Sequence, residues 1–211
     1  MTTATIKEQH KTGASKRHQP VWEIAESFPF QGEWTEDDYF GLPQDGRRVE
    51  LVDGCLEYLP VPTMSHEEVI IYFYELLRAF VRLRDLGRVF FAGIRMLTRG
   101  KKYRMPDIVF MARENAARMK NEAWEGADLV MEVVSPNDPD RDWIDKRKEY
   151  AQAGIPEYWI ADPAKKQIVV LTLKGKTYAV HGVFKPGEKA DSVLLKGFAV
   201  DVRRALCGEK R

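Results

Sequence analysis

Residues 128–134 read Asp-Leu-Val-Met-Glu-Val-Val, apolar throughout except for two acids. Such a run between turn signals reads as a buried strand. Glu132 stands in its middle, where a carboxylate is costly unless it is paired, hydrogen-bonded or bound to metal. Asp107 sits at the mouth of a second apolar run, 107–111, opened by Pro106. Glu50 repeats the anomaly between Val49 and Leu51. An Asp and two Glu converging at strand ends suit a hard divalent cation such as Mg²⁺, which takes oxygen ligands and keeps several waters. The plainer alternatives are a solvated face or a structural arginine for Glu132, and an outward acid on an edge hairpin for Glu50.

The rest of the pattern alternates strands and helices. Thr35 opens Thr-Glu-Asp-Asp, a capping box for a short helix. Two short alternating runs flank Asp53-Gly54, which predicts a β-hairpin ended by Pro60 and Pro62. Val69, Ile70, Phe73, Leu76, Leu77, Phe80 and Val81 recur at helical spacing, so Ser65 is expected to cap a helix that runs to about residue 84 and is closed by Gly87. A strand is expected over 88–97 and a loop or hairpin tip over 98–105. A helix over 141–153 is closed by Gly154 as a left-handed cap. Strands follow at 158–161, 167–173 and 177–183, then a short helix at 200–206. With no internal repeat and no interior linker, the expectation is one α/β (α+β) domain over 21–211, ordered from near Trp22. Residues 1–20 read as a flexible tail with a local charge of +3; solubility, or less simply a phosphate-touching arm, accounts for it.

Composition narrows the function classes. Hydrophobic residues at 44% and charged residues at 31% support a core, and no apolar run approaches the roughly 20 residues of a membrane span. The opening stretch lacks an apolar signal core, so export is not expected. Thirty-three basic against 32 acidic residues argue against coating nucleic acid by bulk charge, though not against a local basic patch. Two cysteines, Cys55 and Cys207, supply neither a disulfide framework nor a thiolate zinc site, and a reduced cytoplasmic setting follows. No Gly-x-Ser-x-Gly surrounds Ser135, and there is no P-loop or Gly-x-Gly-x-x-Gly. Trp124, Trp143 and Trp159 read as core aromatics, since no basic–aromatic interleaving surrounds them. Lys146 lies four residues after Asp142, which reads either as a helix-surface ion pair or as a cation beside a metal-bound water.

The ordered set Val49-Glu-Leu-Val-Asp-Gly54, Ser65-His66, Pro106-Asp107, Glu132-Val-Val-Ser-Pro136, Arg141-Asp142 with Lys146 and Tyr150, Ala153-Gly-Ile-Pro-Glu-Tyr-Trp159 and Asp162-Pro163 resembles the Uma2 family, also called DUF820, of the PD-(D/E)xK nuclease superfamily. The resemblance runs from about residue 35 to about 206. It implies a restriction-endonuclease-like mixed β-sheet flanked by helices, with additional hairpins and a metal site at the sheet edge. Asp107 and Glu132 match the motif acids and Glu50 the upstream acid. The sequence departs from the superfamily pattern at Val134, where the motif lysine would stand; Lys146 occupies the displaced position of the Uma2 pattern.

The resemblance implies metal-assisted phosphodiester hydrolysis. Asp107, Glu132 and Glu50 would hold Mg²⁺ (or Mn²⁺ in its place), and Lys146 would place the attacking water. His66, Asp142 and Tyr150 would support these groups from outside. Arg95, Arg99, Lys101, Lys102 and Arg104, with no acid among them, would hold the nucleic-acid backbone, DNA in the first instance; a solvated hairpin tip is the alternative. Nucleases of this architecture often act as homodimers, with the strands at 167–183 as pairing edges. The competing expectation is a catalytically silent module of the same fold that binds nucleic acid or protein.

Overall fold

The computed structural model describes residues 28–43 and 45–207; the expected tail, residues 1–20, and the start of order near Trp22 lie outside the described residues. The apolar run becomes β8 (Leu129–Val133), central in a six-stranded sheet ordered β11-β10-β9-β8-β6-β3. Its partners are β3 (Gly87–Phe91), β6 (Ile108–Ala112), β9 (Glu157–Asp162), β10 (Gln167–Lys174) and β11 (Thr177–Phe184). All neighbours are antiparallel except β8 and β9. A parallel pair needs a crossover, and the helical segment at 141–152 supplies it.

Both faces of this sheet are covered, which explains the unbroken apolar run. Leu129, Met131 and Val133 pack with Val69, Phe73 and Leu77 of α2 (Met64–Leu83), while Val130 and Val134 pack with Tyr150, Ala151 and Ile155 on the other face. Alternation therefore aims Glu132 into the second, covered layer. The solvated-face alternative does not hold: Glu132 is 1% exposed.

A second sheet, ordered β2-β1-β5-β4-β7, comprises β1 (Val49–Val52), β2 (Cys55–Tyr58), β4 (Met96–Leu97), β5 (Tyr103–Arg104) and β7 (Trp124–Glu125). It packs Leu51, Leu56 and Tyr103 with Tyr39 of α1 (Glu36–Phe40), whose Thr35 capping box forms as the sequence predicts. At the β1–β2 turn both Asp53 and Gly54 have positive φ, at 50° and 77°, the pairing that Asp-Gly favours. A Cβ on Gly54 would lie 2.4 Å from the Gly32 carbonyl oxygen, because the Gly54 carbonyl accepts from the amides of Gly32 and Trp34.

Four boundaries differ from expectation. The strand expected over 88–97 breaks at Ala92 and Gly93, whose φ values of 33° and 99° turn the chain from one sheet into the other. Helix α2 is capped by Thr63 and not Ser65, since the Thr63 oxygen, held by extended backbone, accepts from the His66 amide. That helix stops at Leu83, short of Gly87, which instead opens β3. The 141–153 helix opens with a π-helical turn (Arg141–Lys146) before α3 (Arg147–Gln152); Gly154 follows with φ of 80°. A small sheet of β12 (Lys189–Asp191) and β13 (Ala199–Asp201) leads into α4 (Val202–Cys207). No helix among the described residues is long and apolar enough to cross a membrane.

Candidate active site

Asp107 immediately precedes β6, and Glu132 lies on the adjacent β8. Backbone amides bind the two together reciprocally. The Asp107 amide donates to Glu132 Oε2 at 3.3 Å, and the Val133 amide donates to Asp107 Oδ2 at 2.9 Å. Tyr150 Oη donates to Glu132 Oε1 at 2.6 Å from α3. Lys146 Nζ lies 2.9 Å from Glu132 Oε2 and 3.0 Å from Asp142 Oδ1. Asp107, Glu132, Asp142 and Lys146 are all buried, so the Asp142–Lys146 pair is interior, not a surface pair. The π-helical turn carries both members; such wide turns are frequent at functional sites.

The electrostatics follow from three buried carboxylates around one ammonium. Burial pushes the Glu132 carboxyl well above its usual range; Lys146 opposes this, and Asp107 and Asp142 reinforce it. Burial likewise raises Asp142 against the pull of Lys146. Burial alone would lower Lys146, but Glu132 and Asp142 outweigh it and hold the ammonium charged. The cluster has more negative charge than its one buried cation balances, which favours taking up a proton or a cation.

These residues line a cleft of about 340 Å³. Its other walls are the 59–63 segment after β2, the 135–138 loop after β8, and the side chains of Arg48, His66 and Arg141. Arg48 Nη2 is 3.6 Å from Asp107 Oδ1 and donates to the Met105 carbonyl. His66 Nε2 donates to the Val133 carbonyl at 3.0 Å and is 3.7 Å from Asp107 Oδ2. Among the described residues, Arg48 Nε, His66 Nδ1 and Arg141 Nε are buried without a hydrogen-bond partner. The two unsatisfied arginine Nε–H groups at the cleft wall are suited to an incoming anion.

Glu50 goes elsewhere. It is 0% exposed, and both its oxygens are engaged: Oε1 by the Met105 amide at 2.7 Å, Oε2 by Arg104 at 2.8 Å and by Arg141. Burial alone would raise its pKa, but Lys146, Arg104 and Arg141 together hold it down to about 2. Glu50 does not line the cleft. The structure places it in an ion network that joins the five-stranded sheet to the helical segment at 141–152, outside the cleft lining.

The expected basic loop is dispersed as well. Arg104 is 2% exposed and is shared among Glu50, Glu57 and Glu149. Lys102 pairs with Asp53 at 2.7 Å and with Glu149. Arg95 lies over the Tyr39 and Phe40 rings. Arg99 and Lys101 remain exposed, beside a separate cavity. None of the five lines the cleft, because 95–104 belongs to the five-stranded sheet and the chain crosses to the other sheet at Met105-Pro106. Tyr150 braces Glu132 through its hydroxyl. Arg48 and Arg141 escaped sequence reasoning as cleft residues; their one signal is position, two residues before Glu50 and one before Asp142.

A divalent cation is compatible with this donor set. Asp107 and Glu132 present hard oxygen atoms at the cleft, and each carboxylate has more lone pairs than its present partners use. Among the described residues no group of three or more His, Cys, Asp or Glu side chains has a metal-holding arrangement. The fit is therefore to two carboxylates with water completing the shell, the usual habit of Mg²⁺.

The Uma2 family model, described as "Putative restriction endonuclease", matches residues 36–203. Among solved structures the chain is similar to a "putative nuclease belonging to DUF820 from Anabaena variabilis ATCC 29413". The TM-score is 0.69 at 18% identity, over 82% of this chain and 98% of that one; at that identity the likeness is one of fold. No curated protein matches.

Proposed function

Because the chain belongs to the Uma2 family, we propose that it is a metal-dependent endonuclease hydrolysing phosphodiester bonds of DNA at the Asp107–Glu132–Lys146 cleft. The supporting observation is the reciprocal backbone locking of Asp107 and Glu132 on neighbouring strands, with Lys146 Nζ 2.9 Å from Glu132. Asp107 and Glu132 would hold Mg²⁺, with Mn²⁺ as a substitute. The bound ion would polarise the phosphate and lower the pKa of a coordinated water.

The chain's own groups do the rest. Tyr150 fixes the Glu132 carboxylate from beneath. Lys146 opposes the rise that burial imposes on the Glu132 carboxyl and sets a positive charge where negative charge gathers on the phosphate in the transition state. Asp142 orients Lys146. Arg48 and Arg141, whose unpartnered Nε–H groups face the same cleft, bind phosphate oxygens. His66 Nε2–H, held by the Val133 carbonyl, steadies the wall beside Asp107.

A homodimer and a cytoplasmic setting belong to this reading. The strand β11 forms an edge of the six-stranded sheet and exposes Val180 and Val183, an arrangement open to pairing with a second copy. Cys55 is a free thiol, the state a reducing compartment maintains.

The test is nicking of supercoiled plasmid by the purified protein with Mg²⁺, with Mn²⁺ and with EDTA, beside Asp107→Ala and Lys146→Ala. Metal-dependent nicking absent from both variants is the expected result. Cleavage in EDTA, or full cleavage by Asp107→Ala, contradicts the site. Absence of cleavage with every metal and substrate favours the silent binding module.

A further inference from the structure

Helix α2 joins two cavities. Its first turn, through Thr63 and His66, borders the carboxylate cleft. Its second half borders a groove of about 290 Å³ at the open edge of the six-stranded sheet. Tyr74, Arg78 and Arg82 recur at helical spacing and face that groove, and Arg88 and Phe90 of the edge strand β3 close its other side.

Three arginines meet here with little to neutralise them. Among the described residues, the Arg82 and Arg88 side chains have no hydrogen-bond or ion-pair partner, and the Arg78 guanidinium only rests over the Tyr74 ring at 5.7 Å. The one acid on the rim, Asp85, is paired with Arg113. Phe91, 40% exposed, packs against Tyr74 with ring centroids 4.4 Å apart, while the Phe90 ring lies edge-on to Trp124 at 5.5 Å. The basic–aromatic interleaving that sequence order does not show is assembled here by the fold. Separate structural duties explain parts of it. Arg82 suits the helix C-terminus and Arg88 guards a strand edge against aggregation. Neither duty accounts for Arg78, stacked over Tyr74 at the groove.

We infer that this groove is a second nucleic-acid contact, which takes backbone phosphates on Arg78, Arg82 and Arg88 and rests a sugar or base face against the Tyr74 ring. The inference builds on the nuclease reading of the cleft. Arg82 follows His66 by sixteen residues on one helix, so the two contacts lie about 24 Å apart at 1.5 Å per residue. At 3.4 Å per base pair that is about seven base pairs of duplex. The groove therefore engages long substrates and cannot touch short ones bound at the cleft.

The test is fluorescence anisotropy in EDTA, with a labelled duplex of about 30 base pairs and a labelled hairpin of about four, too short to span both contacts. Wild type is compared with the double variant Arg82→Glu/Arg88→Glu, both changes at exposed positions. The variant should bind the long duplex at least about tenfold more weakly at low salt. Its slope of log affinity against log salt should be shallower by about two, one contact per arginine. Binding of the hairpin and the melting temperature should not change. If the double variant melts early, Arg82→Gln/Arg88→Gln serves instead, with the same slope change expected.

Equal affinity of wild type and variant for the long duplex overturns the inference; metal-dependent plasmid cleavage by both then leaves the nuclease reading standing. Unchanged DNA affinity with a changed mass in light scattering assigns the groove to a protein partner, which also overturns it. A wild type that neither binds nor cleaves DNA overturns the nuclease reading and this inference together.

Discussion

Replacing Arg104 with methionine separates the two roles open to it, because the structure buries this arginine among three acids. Its Nη1 lies 2.8 Å from Glu50 and from Glu57, and its Nε lies 2.8 Å from Glu149. Removing one partner of a buried ion network leaves uncompensated charge and costs about 3–5 kcal/mol. Arg141 still faces Glu50 in the variant, which places the loss near the lower end, about 3 kcal/mol.

The pKa of Glu50 sets the pH dependence of that loss. Against burial, Lys146, Arg104 and Arg141 together bring it from 4.5 to about 2, so removing Arg104 forfeits part of that shift. A carboxyl whose folded pKa is depressed contributes stability above its unfolded pKa and loses it as pH falls. The contribution is thus complete above about pH 4.5 and fades toward pH 2. Urea unfolding of wild type and Arg104→Met at pH 7, 5 and 3 reads both effects. The expected gap is about 3 kcal/mol at pH 7 and 5 and narrower at pH 3. Equal stability at pH 7 combined with a loss of DNA affinity would refute the network and return Arg104 to the substrate-binding surface.

Other perturbations follow from single contacts. Tyr150→Phe removes the fully buried hydroxyl that donates to Glu132; it should cost about 1–2 kcal/mol by urea unfolding and lower kcat with KM retained, while an unchanged kcat would contradict the bracing role. Gly54→Ala places a Cβ against the Gly32 carbonyl at positive φ and should lower stability by more than about 1 kcal/mol; a calorimetric melt equal to wild type would contradict the close approach. Light scattering should give twice the 24.3 kDa chain mass, falling to one chain in Val183→Asp at the β11 edge. A monomeric wild type counts against that interface.

Much of the scaffold is readable from local pattern. The α2 stripe, the Asp53-Gly54 turn and the Thr35 capping box depend on neighbours in sequence, and each forms as predicted. The grouping of Asp107, Glu132 and Lys146 came from the family resemblance; read alone, Lys146 stayed open between a helix-surface pair and a cation beside a metal-bound water. What escaped depends on pairing between distant strands. The register that sets Leu51 opposite Tyr103 brings Arg104 beside Glu50, and no local signal in 49–52 or 98–105 announces it. The break at Ala92–Gly93 had one cue, the glycine. Thr63 and Ser65 offer the same cap chemistry, and backbone conformation alone decides between them. Arginines at 78, 82 and 88 look unremarkable in sequence because they come together only when a helix and an edge strand are packed side by side.

The central claim is a division of labour among the acids: Asp107 and Glu132 face the cleft and its cation, and Glu50 belongs to the framework. Calorimetric titration of Mn²⁺ into Asp107→Asn and into Glu50→Gln, each at a temperature where its melt shows it folded, tests this directly. The account predicts that Asp107→Asn loses the binding heat of wild type and that Glu50→Gln retains it. Retention by Asp107→Asn with loss by Glu50→Gln would contradict it.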